Sequence, residues 1–162
     1  MKNDKENTAE QTLFQEAIHH AKTPVIIALF LTPVRFTLEL LGVPENFIFI
    51  VGLLWFTIGI SIYWGIRFYQ NERFLKLLLL SLVIYSPISR IPVAMAWWID
   101  TNWQLGTHYG LYFDTFGQIL LNQVFYGSLL QIIPGFITGS IAFVIMQNRR
   151  PKNYLDNTIN NE

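Results

Sequence analysis

Two arginines, Arg35 and Arg90, stand inside long apolar stretches of the sequence. A guanidinium is permanently charged and presents a planar fork of donors, which suits a phosphate or a carboxylate. Glu39 follows Arg35 by four residues. On a helix it shares a face with Arg35, so the two are expected to pair. Arg90 has Ala94 at the same offset. Its acid must come from Asp100, from Asp114 or from a ligand. Asn122, Gln123 and Gln131 add uncharged hydrogen-bonding groups. Arg35, Arg90, Glu39, Asn122, Gln123 and Gln131 form the expected ligand-binding set.

A catalytic reading draws on His108, Asp100, Asp114 and Glu39. His108 sits in Gly106-Thr107-His108-Tyr109-Gly110, six residues before Asp114. A histidine can act as a base when a carboxylate orients it. The same groups suit a metal that prefers oxygen and nitrogen, but no ligand spacing singles one out, so neither metal nor cofactor is expected. The absence of cysteine excludes disulfides, thiolate chemistry and cysteine-ligated centres. Ser86 and Ser89 flank Pro87 without a base nearby; they are expected to satisfy carbonyls freed by proline. His19 and His20 are adjacent, point about 100° apart on a helix and read as cytoplasmic interface residues.

The elements that position these groups follow from where charge is missing. The chain of 162 residues is 52% hydrophobic, close to a soluble average. The distribution is unusual. Residues 46–66 form 21 consecutive positions without charge, and 115–148 form 34. About 20 such residues span a bilayer core as helix. The expected fold is all-α: an integral membrane four-helix bundle with spans at 23–41, 47–69, 74–99 and 115–146. Pro87 and Pro92 should kink the third span, and Pro134 the fourth. Residues 1–22 form a cytoplasmic tail with a short amphipathic helix at 8–21, capped by Thr8 and Gln11. Its apolar face would be Leu13, Phe14, Ala17, Ile18 and Ala21. Residues 149–162 form a second cytoplasmic tail. The polar start of the chain lacks a signal peptide's apolar core and cleavage site, so the first apolar segment is expected to remain in the mature protein. Gly135 and Gly139 make a small-residue pair for close helix contact.

Orientation follows from lysine and arginine. Lys2, Lys5 and Lys22, then Arg67, Arg73 and Lys76, then Arg149, Arg150 and Lys152 all fall on one side. The positive-inside rule puts both termini in the cytoplasm of a multi-pass cell-membrane protein. On the other side, residues 100–116 carry Trp103, Tyr109, Tyr112 and Phe113, an aromatic belt that lies on the leaflet or folds over the bundle. Arg35 comes 13 residues after Lys22 and Arg90 14 after Lys76, about 20 Å and 21 Å along straight helices. Pro33 and Pro87 precede the two arginines, a faint internal echo. A charge near the bilayer centre costs at least about 2.5 kcal/mol.

These features point to a polar pocket in the non-cytoplasmic half that binds or transports a small anionic or amphiphilic ligand. The alternatives are a membrane enzyme acting on a lipid-like substrate, and a structural or assembly subunit whose arginines pair internally. The expected partners are a membrane lipid or small amphiphile, and a homo-oligomer or membrane partner subunit. A net charge of zero and the lack of a basic stripe argue against nucleic acid.

Overall fold

The computed structural model describes residues 2–149 and is all-α. Helix α1 is Lys2–Leu40, α2 Glu45–Ile50, α3 Leu53–Arg67 and α4 Phe74–Trp103. A 3-10 turn, His108–Leu111, leads to α5, Phe116–Leu121; a π-helical stretch, Asn122–Gly127, joins it to α6, Ser128–Asn148. Four helical segments are long and apolar enough to cross a membrane: Glu10–Leu40, Asn46–Arg67, Phe74–Trp103 and Phe116–Asn148. The protein is a multi-pass membrane bundle of four spanning helices.

Many large apolar side chains face outward, while small residues line the helix contacts. Phe30, Val34, Leu130 and Ile137 are at least half exposed, while Ala17, Ala21, Ala28 and Ser61 are buried. That inversion fits a lipid solvent, where helix association relies on close backbone approach. Helix α1 lies along α4 and α3 along α6, with α4 and α6 also in contact. In the α3–α6 seam a Cβ on Gly65 would sit 2.4 Å from the Gly139 carbonyl oxygen, and one on Gly135 3.0 Å from Ser61 Oγ. The Gly135–Gly139 pair therefore serves contact within the bundle. The main core joins Ala21, Ala28, Leu53, Trp64, Phe74, Leu78, Leu82, Tyr85 and Phe143. The Phe74 and Phe143 rings stack at 4.7 Å.

Several local expectations change. No separate amphipathic helix precedes the first span: α1 runs unbroken from Lys2 through Thr8 and Pro24. Its small residues Ala17 and Ala21 are buried, whereas Phe14 and Ile18 stay 49% and 45% exposed. The apolar face thus continues the bundle contact with α4. His20 packs edge-on against Phe68 at 4.6 Å, with His19 exposed. Helix α1 ends at Gly42, whose φ of +74° lets the Val43 amide close back on the Leu38 carbonyl at 3.1 Å. The second span is not one helix. It breaks at Val51–Gly52, where Gly52 is extended, and resumes at Leu53. Residues 150–162, including Arg150, Lys152 and the expected second tail, lie outside the described residues apart from Arg149.

The seam geometry makes a stability prediction. Gly65→Val should lower the unfolding free energy in micelles by about 1–3 kcal/mol, because the added carbons meet backbone and cannot be accommodated by a side-chain shift. Gly59→Ala is the control: a Cβ there meets nothing within 4 Å, and the change should be neutral or stabilising. Equal behaviour of the two variants in a thermal or denaturant melt would contradict the packing.

Candidate functional site

A cavity of about 220 Å³ opens at the end of the bundle that carries the 41–52 and 104–115 connections. Three irregularities of the chain create it. The first is the break in the second span. Leu53, Leu54 and Trp55 of the new helix start line the cavity with Val51 and Gly52. The Gly52 N-cap supplies no side-chain hydrogen bond. The first amides of a helix have no intrahelical acceptor, so the Leu53 and Leu54 amides give this wall donor character.

The second is the π-helical stretch Asn122–Gly127, a feature that inserts an extra residue into the turn. It brings Gly127 and Gln123 to Arg90. Arg90 Nη1 donates to Gln123 Oε1 at 3.2 Å. A Cβ on Gly127 would stand 3.3 Å from Arg90 Nε, so the glycine leaves room for the guanidinium.

The third is the connection after α4, which folds back over the bundle. Gln104 takes a left-handed conformation at φ 49° and turns the chain. Asp100, buried to 3% exposure, then holds the loop from within: Oδ1 accepts from the Thr107 amide at 3.1 Å and Oδ2 from the Gly110 amide at 2.8 Å. Trp97 Nε1 donates to the Phe113 carbonyl at 3.1 Å. Tyr109 is buried and packs edge-on against Phe36 at 5.7 Å. Burial pushes its phenol up to about 12, against the fields of Arg35 and Arg90 and with that of Glu39. It therefore stands neutral at physiological pH.

Glu39 joins α1 to this fold-back. Its Oε1 accepts from the His108 amide and its Oε2 meets His108 Nδ1, each at 2.5 Å. The expected Arg35–Glu39 pair is thus absent, because both carboxylate oxygens turn to His108. Arg90 receives no acid either. Asp100 is committed to the loop, and exposed Asp114 does not line the cavity. Among the described residues neither arginine has a carboxylate within 4 Å. Both Nε atoms are buried without a partner.

Of the expected ligand set, Arg35, Arg90 and Gln123 line the cavity. Asn122 instead donates to the Gln118 carbonyl at 2.9 Å. Gln131 is fully buried below the cavity, where its Oε1 meets Ser89 Oγ at 3.2 Å. Ser89 Oγ lies 2.8 Å from the Ser86 carbonyl; that carbonyl is not one that Pro87 or Pro92 frees, so the expected serine task is not the one observed. His108 and Glu39 meet, whereas Asp100 and Asp114 join neither. No three His, Asp or Glu side chains converge as a metal site among the described residues. Thr32, Val51–Trp55, Val93 and Ile119 also line the cavity and were not singled out by sequence. Gly52, between two apolar runs, was the one local signal for the break. No family model, curated protein or solved structure matches the chain.

Asp100→Asn tests the fold-back. An asparagine keeps one acceptor and turns an NH₂ toward the other amide. Two charge-assisted hydrogen bonds of about 1.5–3 kcal/mol each are weakened. Amide exchange over residues 107–113 should rise at least about tenfold by mass spectrometry while the exchange of α3 and α6 stays unchanged. Unaltered exchange in the loop would contradict the role of Asp100.

Proposed function

We propose that the protein binds a small anionic group, carried by a soluble or amphiphilic ligand, between Arg35 and Arg90. One observation carries this reading: two guanidinium groups line one cavity, and every carboxylate expected to neutralise them is engaged elsewhere or lies away from the cavity. An uncompensated charge is costly in an apolar bundle, and intramembrane arginines ordinarily pair. A bound anion is the missing partner. Gln123 and the uncapped start of α3 add donors of the type that anions use. At about 220 Å³ the space is below the roughly 300–1,000 Å³ of drug-sized sites, which suits a single acidic group.

The charge pattern supports a cavity in the non-cytoplasmic half. Apart from Arg35 and Arg90, the nine lysines and arginines stand in the N-terminal part of the chain up to Lys22, around the 67–76 connection or after the fourth span, which is the opposite end of the four-span arrangement. A chain without cysteine makes this easy to test. Asn102→Cys should react with a membrane-impermeant maleimide added to intact cells, and Glu72→Cys should react only after permeabilisation. The reverse pattern would invert the orientation.

The binding reading is tested with protein released from lipid nanodiscs into a native mass spectrometer. Wild type should carry a discrete non-protein mass. Arg90→Gln should assemble normally yet retain that mass at least about tenfold less, as expected for loss of a charged hydrogen bond worth roughly 1.5–3 kcal/mol. A wild type without ligand, alongside an Arg90→Gln protein that fails to assemble, would assign the arginines to bundle structure instead.

A further inference from the structure

The cavity lining is chemically mixed: Arg35, Arg90 and Gln123 are polar, whereas Leu31, Val51, Leu53, Leu54, Val93 and Ile119 are apolar. An inorganic anion would leave those apolar side chains wetted. A ligand that joins an acidic group to hydrocarbon satisfies both.

The packing of the bundle provides a place for that hydrocarbon. Helix α1 is braced on α4, and α3 on α6, while α1 and α3 meet only sparsely. Where they diverge, the cavity wall is made by Leu31 and Thr32 from α1 and by Leu54 and Trp55 from α3. Trp55 is 51% exposed on the outer surface of the bundle, and Ile27, one turn before Leu31, is 43% exposed. The seam therefore runs from the charged cavity to the lipid-facing surface between apolar side chains. A cavity of about 220 Å³ holds a compact headgroup without its chains, and the seam is where chains would leave.

Charge narrows the headgroup. Arg35 and Arg90 bring two positive charges with no carboxylate within 4 Å. Tyr109 is neutral, since burial holds its phenol up at about 12. His108 and Glu39 are already turned to each other. A carboxylate or a phosphodiester carries about one negative charge, whereas a phosphomonoester carries about 1.5 to 2 near neutral pH. A phosphomonoester also offers three oxygens for two guanidinium forks, Gln123 and the Leu53 and Leu54 amides.

From this we infer that the cavity takes a phosphomonoester amphiphile from the bilayer, with its phosphate between Arg35 and Arg90 and its chain in the α1–α3 seam. The inference rests on the anion-binding reading above and goes further in naming the headgroup and its source.

The test uses the full chain in nanodiscs of dioleoyl phosphatidylcholine doped with dioleoyl phosphatidic acid or, separately, dioleoyl phosphatidylglycerol, with bound lipid counted by native mass spectrometry. Binding of radiolabelled inorganic phosphate in detergent micelles is measured in parallel. The expected result is one phosphatidic acid per chain, retained at least about tenfold better than phosphatidylglycerol and lost in Arg35→Gln and Arg90→Gln. Ile27→Trp, at an exposed position of the seam outside the cavity lining, should cut lipid retention and leave phosphate binding in place. Two results overturn the inference and leave the anion site standing: equal retention of both lipids, or arginine-dependent phosphate binding with no lipid preference and no effect of Ile27→Trp. If neither phosphate nor phosphatidic acid responds to the arginine variants in protein that still assembles, the inference and the anion-binding reading fall together.

Discussion

The organisation of this bundle turns on two guanidinium groups held in an apolar setting without a carboxylate. A charge in a membrane interior must be neutralised, solvated or shielded. Here the chain supplies a cavity and one amide oxygen from Gln123, while the uncapped start of α3 adds donors and not an acceptor. The three local irregularities of the backbone all meet at this point. A regular helix through 51–52 would bring no helix start to the wall. A regular helix through 122–127 would not set Gly127 and Gln123 against Arg90 in the same way. An extended 104–115 connection would leave the cavity without its cover.

The acids near the cavity act as structural clamps. Asp100 ties the fold-back to the end of α4, and Glu39 ties it to α1 through His108. Together they fix the cover from two helices. This division explains why the arginines stay without anionic partners among the described residues: the Asp100 and Glu39 carboxylates satisfy loop amides that would otherwise lack acceptors. It also gives His108 a fixed ring orientation on the cavity wall.

The lower part of the bundle follows a different rule. Between the cavity and the opposite end, glycine, alanine and serine allow the helices to approach, and Phe74, Phe143, Trp64 and Leu78 fill the remaining space. Rigid packing there leaves the irregularity concentrated at one end. Each helix bearing an arginine is followed by a span whose regular geometry is interrupted at the cavity, by an extended break in one case and a π stretch in the other.

Local composition determined the number and rough extent of the spans, because a bilayer requires long uncharged helices and those runs are visible residue by residue. It also marked Arg35, Arg90 and Gln123, since polar side chains in membrane spans need a reason to be there, and His108 as the one histidine outside the N-terminal pair. The partner of each charge was settled only by tertiary structure. Glu39 sits at the helical spacing for Arg35, yet its carboxylate goes to His108, 69 residues away, because a buried loop amide and a ring nitrogen together outcompete one flexible side chain. Asn122, Gln123 and Gln131 all carry a side-chain amide, but helix phase through and beyond the π stretch decides which of them faces the cavity. The extent of α1 was hidden for a similar reason: the polar residues before the span looked like a boundary, while the buried stripe of Ala17, Ala21 and Ala28 continues one helix face across it. Hydropathy reports which residues belong in a membrane; which of them meet depends on helix phase and the path of the connections, and these are fixed only when the whole chain packs.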